Sequence, residues 1–548
     1  MTYDYLIVGA GSAGCVLANR LSASGAFSVA LIEAGGSDRH PFIRMPSAFS
    51  LPIGSARFDW RFAARAEARL ADRALACPRG KVLGGSSSIN GMVYVRGNPL
   101  DYERWERLGA AGWGYAQVLP YFRRSETALG AAHDDPYRGH DGPLQVSRGE
   151  RANPLYDAFL EAAEQAGHQL NDDLNGARQE GFGPLEMTVA GGIRCSAARA
   201  YLQPARRRKN LTVHTGALAQ ALLFDGERCT GVRVRRSGSR PGSGHTDLHA
   251  RREVLLAAGA IGSPQLLQCS GIGPQAALAQ AGVDLRADVP EVGANLMDHL
   301  EVYLQQGSTP GVSLNRHLSL FGKGLIGARW LLRRDGLGAT NHFEVGGFTR
   351  SSADQPWPDI QYHFLPAAVS YDGSRAAAGH GFQVHVGPML SPSRGTLTIR
   401  SADTAVPPLL DFNYMSDPQD WQVFRAAIRQ ARDIFAQSAL TPYRTQELAP
   451  GETVSSDDAL DAFVSAHAES AYHPCGTCRM GSDHRAVVDP QCRVQGVTAL
   501  RVIDASVFPH ITNGNLNGPT IMLAERAADL VLETSLPRDP LPYYTADT

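Results

Sequence analysis

A glycine turn close to the N-terminus constrains this chain more than any other feature. Asp4-Tyr5-Leu6-Ile7-Val8 is an apolar run suited to a buried strand, and Gly9-Ala10-Gly11-Ser12-Ala13-Gly14 follows it. An apolar helical run then continues to Leu21, and Val29-Ala30-Leu31-Ile32 leads to Glu33. The order strand, turn, helix, strand is that of a βαβ unit. Gly9 and Gly11 let the main chain turn tightly and approach a pyrophosphate, and Gly14 lets helix and strand pack closely. The helix start at Ser12 and Ala13 offers oriented N–H groups to an anion. Glu33 falls 19 residues after Gly14, with Ala34 beside it, where a carboxylate accepts the hydroxyls of an adenosine ribose. The pattern specifies a dinucleotide site and leaves NAD and FAD both open.

A chain of 548 residues with 43% hydrophobic content is too long for one ordinary domain and can bury two cores. Its net charge of −2 gives no overall field toward nucleic acid, and no nucleic-acid partner is expected. The basic run Arg206-Arg207-Arg208-Lys209 reads as a solvated turn. No stretch of 18 apolar residues is present, so no membrane-spanning segment is expected. The first apolar stretch is used by the opening strand and lacks a basic region before it, which argues against a secretory signal. A cytoplasmic protein is expected, with peripheral attachment at the inner membrane left open. Eight scattered cysteines fit reduced thiols better than a disulfide framework.

Residues 1–155, 195–310 and 470–535 share an α/β texture and are assigned to one discontinuous cofactor-binding domain. Within it, 211–214, 220–224 and 230–234 read as strands, Arg236 to His245 as a Gly/Ser/Pro-rich loop, and Glu253 to Ala260 as a buried strand entering another glycine turn. Residues 156–194 and 311–469 form a second domain. Alternation in Phe382-Gln383-Val384-His385-Val386 and Gly395 to Arg400 predicts a mostly antiparallel sheet there, followed by an amphipathic helix around Trp421 to Phe435. The Pro-rich tail, 536–548, is expected to be poorly ordered.

Two further glycine-rich segments are too polar for core elements. One is Gly80-Lys81-Val82-Leu83-Gly84-Gly85-Ser86-Ser87-Ser88-Ile89-Asn90-Gly91, with Met92 and Val93 after it, and the other starts at Gly259 and ends at Gly273. Such segments suit close main-chain approach to a flat or phosphorylated ligand. Three of them imply a long cofactor lying across the domain.

With Asp504-Ala505-Ser506 and Asn515-Leu516-Asn517 near the C-terminus, these segments resemble the signatures of the glucose-methanol-choline (GMC) family of FAD-dependent alcohol oxidoreductases. The resemblance covers nearly the whole chain. It runs closest to the choline-oxidising members through residues 330–348, 358–366, 391–395 and Ala471-Tyr472-His473-Pro474-Cys475 onward. It implies a doubly wound FAD domain plus a substrate domain with a mostly antiparallel sheet. It also implies FAD contacts from the three glycine segments, Asp504, Ala505, Asn515, Pro519 and Thr520. Some choline-oxidising members attach FAD through a histidine in the first signature, where this chain has Ile89, so non-covalent FAD is expected.

Alcohol oxidation by a flavin removes a hydroxyl proton and transfers a hydride, and the proton needs a base. Taken alone, any of the 17 histidines is more readily structural. By the resemblance, His473 is the base and Asn517 the partner that orients the alcohol oxygen. A quaternary ammonium substrate calls for aromatic faces and one carboxylate. The resemblance implies Glu344 as that carboxylate, with Phe343, Tyr472 and Trp60 as candidate faces. Cys475 and Cys478 form a lone CxxC without the further ligands of a zinc site or the setting of a redox dithiol, and no metal is expected. The implied activity is oxidation of choline to its aldehyde, with a second oxidation to glycine betaine left open and electrons passing to a quinone, another acceptor or oxygen. Another alcohol as substrate, an NAD-dependent reductase and a non-enzymatic binding role are the rival readings.

Overall fold

The computed structural model describes residues 1–236, 244–370 and 379–545. Most of the loop expected between Arg236 and His245 lies outside the described residues. In chain order, the strands that build the two main sheets begin with β1 (Thr2–Val8), β2 (Val29–Glu33), β3 (Gly181–Pro184), β4 (Leu211–Thr215), β5 (Ala217–Asp225), β6 (Arg228–Arg236) and β7 (His245–Leu256). They continue with β8 (Leu300–Ser308), β9 (Val345–Thr349), β10 (Ile360–Leu365), β11 (Gly381–Pro388), β12 (Arg444–Ala449), β13 (Glu469–Ser470) and β14 (Leu500–Val502). The helices that position the site are α1 (Ser12–Leu21), α2 (Tyr115–Ser125), α3 (Pro154–Gln165), α4 (Gly259–Cys269), α5 (Leu320–Arg333), α6 (Pro418–Ala436) and α7 (Asn517–Val531).

The first sheet has the order β4-β2-β1-β7-β6-β5, with β14 also pairing β7. Its centre is parallel, β1 pairing with β2 and β7, while β6 and β5 extend it antiparallel. Leu6, Ile7, Val29, Ala30 and Leu31 are all completely buried. Strands apolar on successive residues need helices on both faces. α1 and α7 supply part of that cover with small residues such as Ala18, Ala524 and Ala528.

The second sheet, β12-β8-β11-β10-β9-β3, is antiparallel throughout, and β13 pairs with β8. α6 backs it. Val423, Phe424, Ala427, Ile428, Ala431, Ile434 and Phe435 form one buried helical stripe, and Asp417 caps the start by accepting from the main-chain N–H of Gln419. α3 packs into the same core through Leu155, Tyr156 and Phe159.

Three expectations need correction. β8 belongs to the second sheet, so the chain changes sheets near residue 300 rather than 310: Leu300, Val302 and Leu304 alternate into the second core. Residues Thr396–Thr398 pair with Leu409–Asp411 as a separate hairpin. The tail packs on α2 and then, at Tyr544, on the segment at Ala177 and Arg178. Asp539 donates its main-chain N–H to the Ala116 carbonyl and pairs with Arg123 at 2.6 Å, and the Tyr543 ring meets Tyr115 edge-on at 5.3 Å.

Candidate active site

A cavity of about 850 Å³ is lined from both sheets. Its first end is built from main chain. Gly9 sits at φ +100°, and a Cβ there would fall 2.4 Å from the Ala257 carbonyl oxygen. Gly85 approaches Gly11 so closely that a Cβ on Gly85 would lie 2.7 Å from the Gly11 Cα. Gly91 and Gly259 also line the cavity, where a Cβ on either would meet no protein atom within 4 Å. Three helices start at this wall, α1, α4 and α7, and in none does the N-cap residue supply a side-chain cap, Asp504 taking only the first N–H of α4, whereas α3 and α6 are capped by Asn153 and Asp417. Uncapped N–H groups converging on one cavity suit a diphosphate.

Two carboxylates brace this end. Glu33 accepts from the main-chain N–H groups of Ala10 (3.0 Å) and Gly35 (2.7 Å), and burial pushes its pKa up to about 7. Asp504 accepts from the Gly259 N–H, the Ser263 hydroxyl and the Ser506 N–H, tying the start of α4 to the chain after β14. Such a slot, with its glycine walls, open helix starts and ribose-side carboxylate, fits a dinucleotide the length of FAD.

Most of the residues expected at the cofactor line the cavity: Gly9, Gly11, Ser12, Ala13, Glu33, Ala34, Gly80, Gly85, Ser86, Asn90, Gly91, Met92, Val93, Gly259, Asp504, Ala505, Asn515 and Thr520. Four do not. Gly14 packs against the Gly9 carbonyl, Val82 joins a small apolar cluster with Ile43, Phe58 and Ile89, Gly84 forms a turn whose N–H donates to the Ala10 carbonyl, and Pro519 is buried within α7.

The second end is built from strand faces. Along β8, Leu300, Val302 and Leu304 enter the core while Glu301 and Tyr303 line the cavity, the alternation that a pleated strand imposes. Register then aligns a row across three strands: Tyr303 on β8 lies opposite His385 on β11, which lies opposite His363 on β10. The Tyr303 and His385 rings stack at 3.9 Å, and Phe343 meets His385 edge-on at 5.3 Å. Tyr472 and Trp60 line the same cavity.

His473 lines it too, and its proton can be placed from the hydrogen bonds. His299 Nε2 lies 2.9 Å from the Met389 carbonyl oxygen, which can only accept, so Nε2 carries the hydrogen. His299 Nδ1 is then the acceptor, and His473 Nδ1–H donates to it at 3.0 Å. This leaves His473 Nε2 bare, 3.2 Å from the Asn515 amide nitrogen, which donates to it. Burial, reinforced by His299 and Arg79, pushes the His473 pKa well below its usual value, and burial pushes His299 down to about 4. Both rings are therefore neutral near pH 7. Asp298 holds the backbone here by accepting from the His473 main-chain N–H (2.7 Å) and the Tyr414 hydroxyl (2.7 Å).

Asn515, rather than Asn517, stands beside His473. Asn517 opens α7, and its side-chain oxygen accepts from the Ser12 hydroxyl at 2.8 Å at the cofactor end. Asn517 is the first residue of α7 whereas Asn515 lies before its N-cap, Leu516, outside the helix, and the two amides meet different partners.

Glu344 is also misplaced by the sequence reading. It does not line the cavity: its carboxylate accepts from the Thr340 hydroxyl (2.7 Å) and the Arg151 main-chain N–H (2.6 Å). Phe343 takes the cavity side and extended chain turns the next side chain away. The carboxylate that reaches the cavity from the second sheet is Glu301. Val369 donates its main-chain N–H to the Gln383 side-chain oxygen, so the Gln383 NH₂ donates to His385 Nε2 (2.7 Å) and His385 Nδ1–H points to Glu301 at 3.3 Å. Burial pushes the Glu301 pKa up, but His385, with His363 and the Tyr303 hydroxyl, more than offsets it and the net shift is downward. Cys475 and Cys478 are fully buried in the first core, and among the described residues no His/Cys/Asp/Glu group could hold a metal ion.

A dinucleotide slot leading to a neutral, proton-accepting histidine defines a cofactor-dependent oxidoreductase. The chain belongs to the GMC oxidoreductase family, matching its N-terminal part over residues 3–301 and its C-terminal part over 391–524, and members of this family are FAD-binding flavoenzymes. Among curated relatives it is similar to the oxygen-dependent choline dehydrogenase of Photobacterium profundum, 55% identical over 97% of this chain and 93% of that protein. It is also similar to that of Brucella suis biovar 1, 53% identical over 97% of this chain and 96% of that protein. Among solved structures it resembles pyridoxine 4-oxidase from Mesorbium loti, with TM-score 0.86, 32% identity and 96% and 98% of the two chains covered. It also resembles a formate oxidase, with TM-score 0.90, 26% identity and coverage of 97% and 98%. No described helix is long and apolar enough to cross a membrane.

Proposed function

We propose that this protein oxidises choline to betaine aldehyde, with FAD held non-covalently at the glycine-lined end of the cavity. The observation that carries the reading is Glu301, a carboxylate lining the same cavity as His473, Tyr303, Phe343 and Tyr472. A trimethylammonium group donates no hydrogen bond, so it is recognised by an anion and by aromatic faces. The choline dehydrogenase relatives support the same substrate.

The residues then divide the work. Glu301 and the rings hold the cation. Asn515 passes its amide hydrogen bond from His473 Nε2 to the substrate oxygen, freeing that nitrogen and orienting the alcohol, while its own oxygen is held by the Gln361 amide at 3.2 Å. His473 Nε2 takes the hydroxyl proton, its Nδ1–H remaining on His299. Bound FAD supplies the acceptor for the hydride leaving the adjacent carbon. The hydrate of the aldehyde again presents a hydroxyl to His473, so the same groups would carry oxidation on to glycine betaine. Ile89 offers no nucleophile for a covalent flavin link.

The test is anaerobic stopped-flow reduction of the holoenzyme with choline and with 3,3-dimethylbutan-1-ol, its uncharged isostere, followed by reoxidation with oxygen or a quinone. Choline is expected to be favoured at least about tenfold, the scale of a cation–aromatic and ion-pair contact in a desolvated site. Reduction by the neutral alcohol but not by choline would remove choline as the substrate.

A further inference from the structure

Along β10 the side chains divide by register. Ile360, Tyr362 and Phe364 are completely buried in the second core, so Gln361, His363 and Leu365 stand on the opposite face, where His363 and Leu365 line the cavity. Gln361 lies behind the lining. It is 1% exposed, its Oε1 has no hydrogen-bond partner among the described residues, and its Nε2 donates to Asn515 Oδ1 at 3.2 Å. Burying an amide this deeply in an apolar strand is costly, and that one contact is what the burial secures.

The hydrogen bonds around Asn515 run in one direction. The Met389 carbonyl leaves His473 Nε2 bare, so Asn515 turns its NH₂ toward His473 and its oxygen toward β10. An amide oxygen only accepts, so Gln361 Nε2 and, at 3.4 Å, His363 Nε2 both donate to it. The last torsion of an asparagine is broad and roughly two-fold, so the amide can exchange its O and NH₂ and its orientation is set by what it meets. Turned over, Asn515 would set an oxygen against His473 Nε2, two acceptors face to face, and would offer no donor to the alcohol oxygen. We propose that Gln361 is the positioning residue that holds the Asn515 NH₂ toward the reacting oxygen, with His363 assisting from the same strand face. Gln361 acts through Asn515, so the inference rests on the role proposed for that residue. A carboxylate of the same size at position 361 reverses the contact: ionised, it only accepts, and the Asn515 NH₂ turns to it.

Anaerobic flavin reduction of the holoenzyme by choline, followed across pH in Gln361→Glu, Gln361→Met and Asn515→Ala, tests this. At high pH, with the introduced carboxyl ionised, Gln361→Glu is expected to slow reduction about ten- to a hundredfold, as Asn515→Ala does, with flavin content unchanged. As pH falls through the pKa of that carboxyl it regains a proton to donate, and the rate should return to within a few-fold of wild type. Burial raises a carboxyl but pushes His363 down to about 4 and His473 well below its usual value, so neither imidazole charges over that window. Gln361→Met removes the donor and should lose about two- to tenfold at every pH. Added to Asn515→Ala, either substitution should cost no more than about twofold further, because its effect passes through the missing amide. The proposal is overturned if Gln361→Glu loses the same factor at every pH, the mark of a merely structural role, or if the losses multiply in the double variants. Should Gln361→Glu lose its flavin, the cycle of Gln361→Met with Asn515→Ala decides. A failure of the choline reading shows instead in the wild type, which choline would then leave oxidised, and the variants are in that case compared with the alcohol that does reduce it.

Discussion

The two ends of the cavity are made in different ways. At the first sheet, recognition comes from main chain: glycine turns, three helix starts whose N-cap residues supply no side-chain cap, and two carboxylates whose oxygens are engaged by N–H and hydroxyl groups. At the second sheet it comes from side chains standing on pleated strands, Glu301 and Tyr303 on β8, His385 on β11 and His363 on β10, brought together by register. A main-chain cradle binds what every member of such a family must bind. A strand face can be rewritten residue by residue without moving the backbone, so substrate choice belongs there. One cavity can thus keep its cofactor and change its chemistry by substitutions on three strands.

Three sets of variants separate the two ends. His473→Ala should reduce the rate of flavin reduction by about 10²- to 10⁴-fold, as loss of a general base does, while leaving flavin content intact. Reduction near the wild-type rate would remove His473 from that role. Asn515→Ala should slow flavin reduction by about ten- to a hundredfold, since one donor to the reacting oxygen is lost. Asn517→Ala should instead weaken flavin retention through its broken contact with Ser12, with bound flavin reduced within a few-fold of the wild-type rate. Interchanged phenotypes would reverse the assignment of the two asparagines. The smallest effect is one of preference: Glu301→Gln should cut discrimination for choline over its neutral isostere by about tenfold, whereas Glu344→Gln should leave that ratio within about twofold. If Glu344→Gln alone lowers the ratio, the cation is held elsewhere.

The cofactor end was legible because its information is local. Gly9, Gly11 and Gly14 announce a tight turn and a close helix within six residues, and Glu33 follows at a fixed distance. The substrate end is not local. Glu301 and His385 are neighbours only through the pairing of β8 with β11, and the linear chain does not print that register. The alternation Glu301-x-Tyr303 within an apolar strand was the available signal, a polar face set against a buried one. The choice between Asn515 and Asn517 turns on where α7 begins, and helix starts are poorly fixed by sequence. Glu344 failed for the opposite reason: it sits beside Phe343, which does reach the cavity, and adjacent residues in extended chain face opposite ways. The tail looked loose from its prolines, yet Asp539 and Tyr543 pin it to α2 through partners more than 400 residues away.

The Met389 carbonyl has one further consequence. Because it can only receive a hydrogen, it dictates which nitrogen of His299 is protonated, and through His299 which nitrogen of His473 is free. That carbonyl is peptide backbone, present whatever side chain occupies position 389. The polarity of the proton path is thus a property of the chain trace just past β11, inherited by any sequence that keeps this strand end and the two imidazoles, and immune to point substitution at its source.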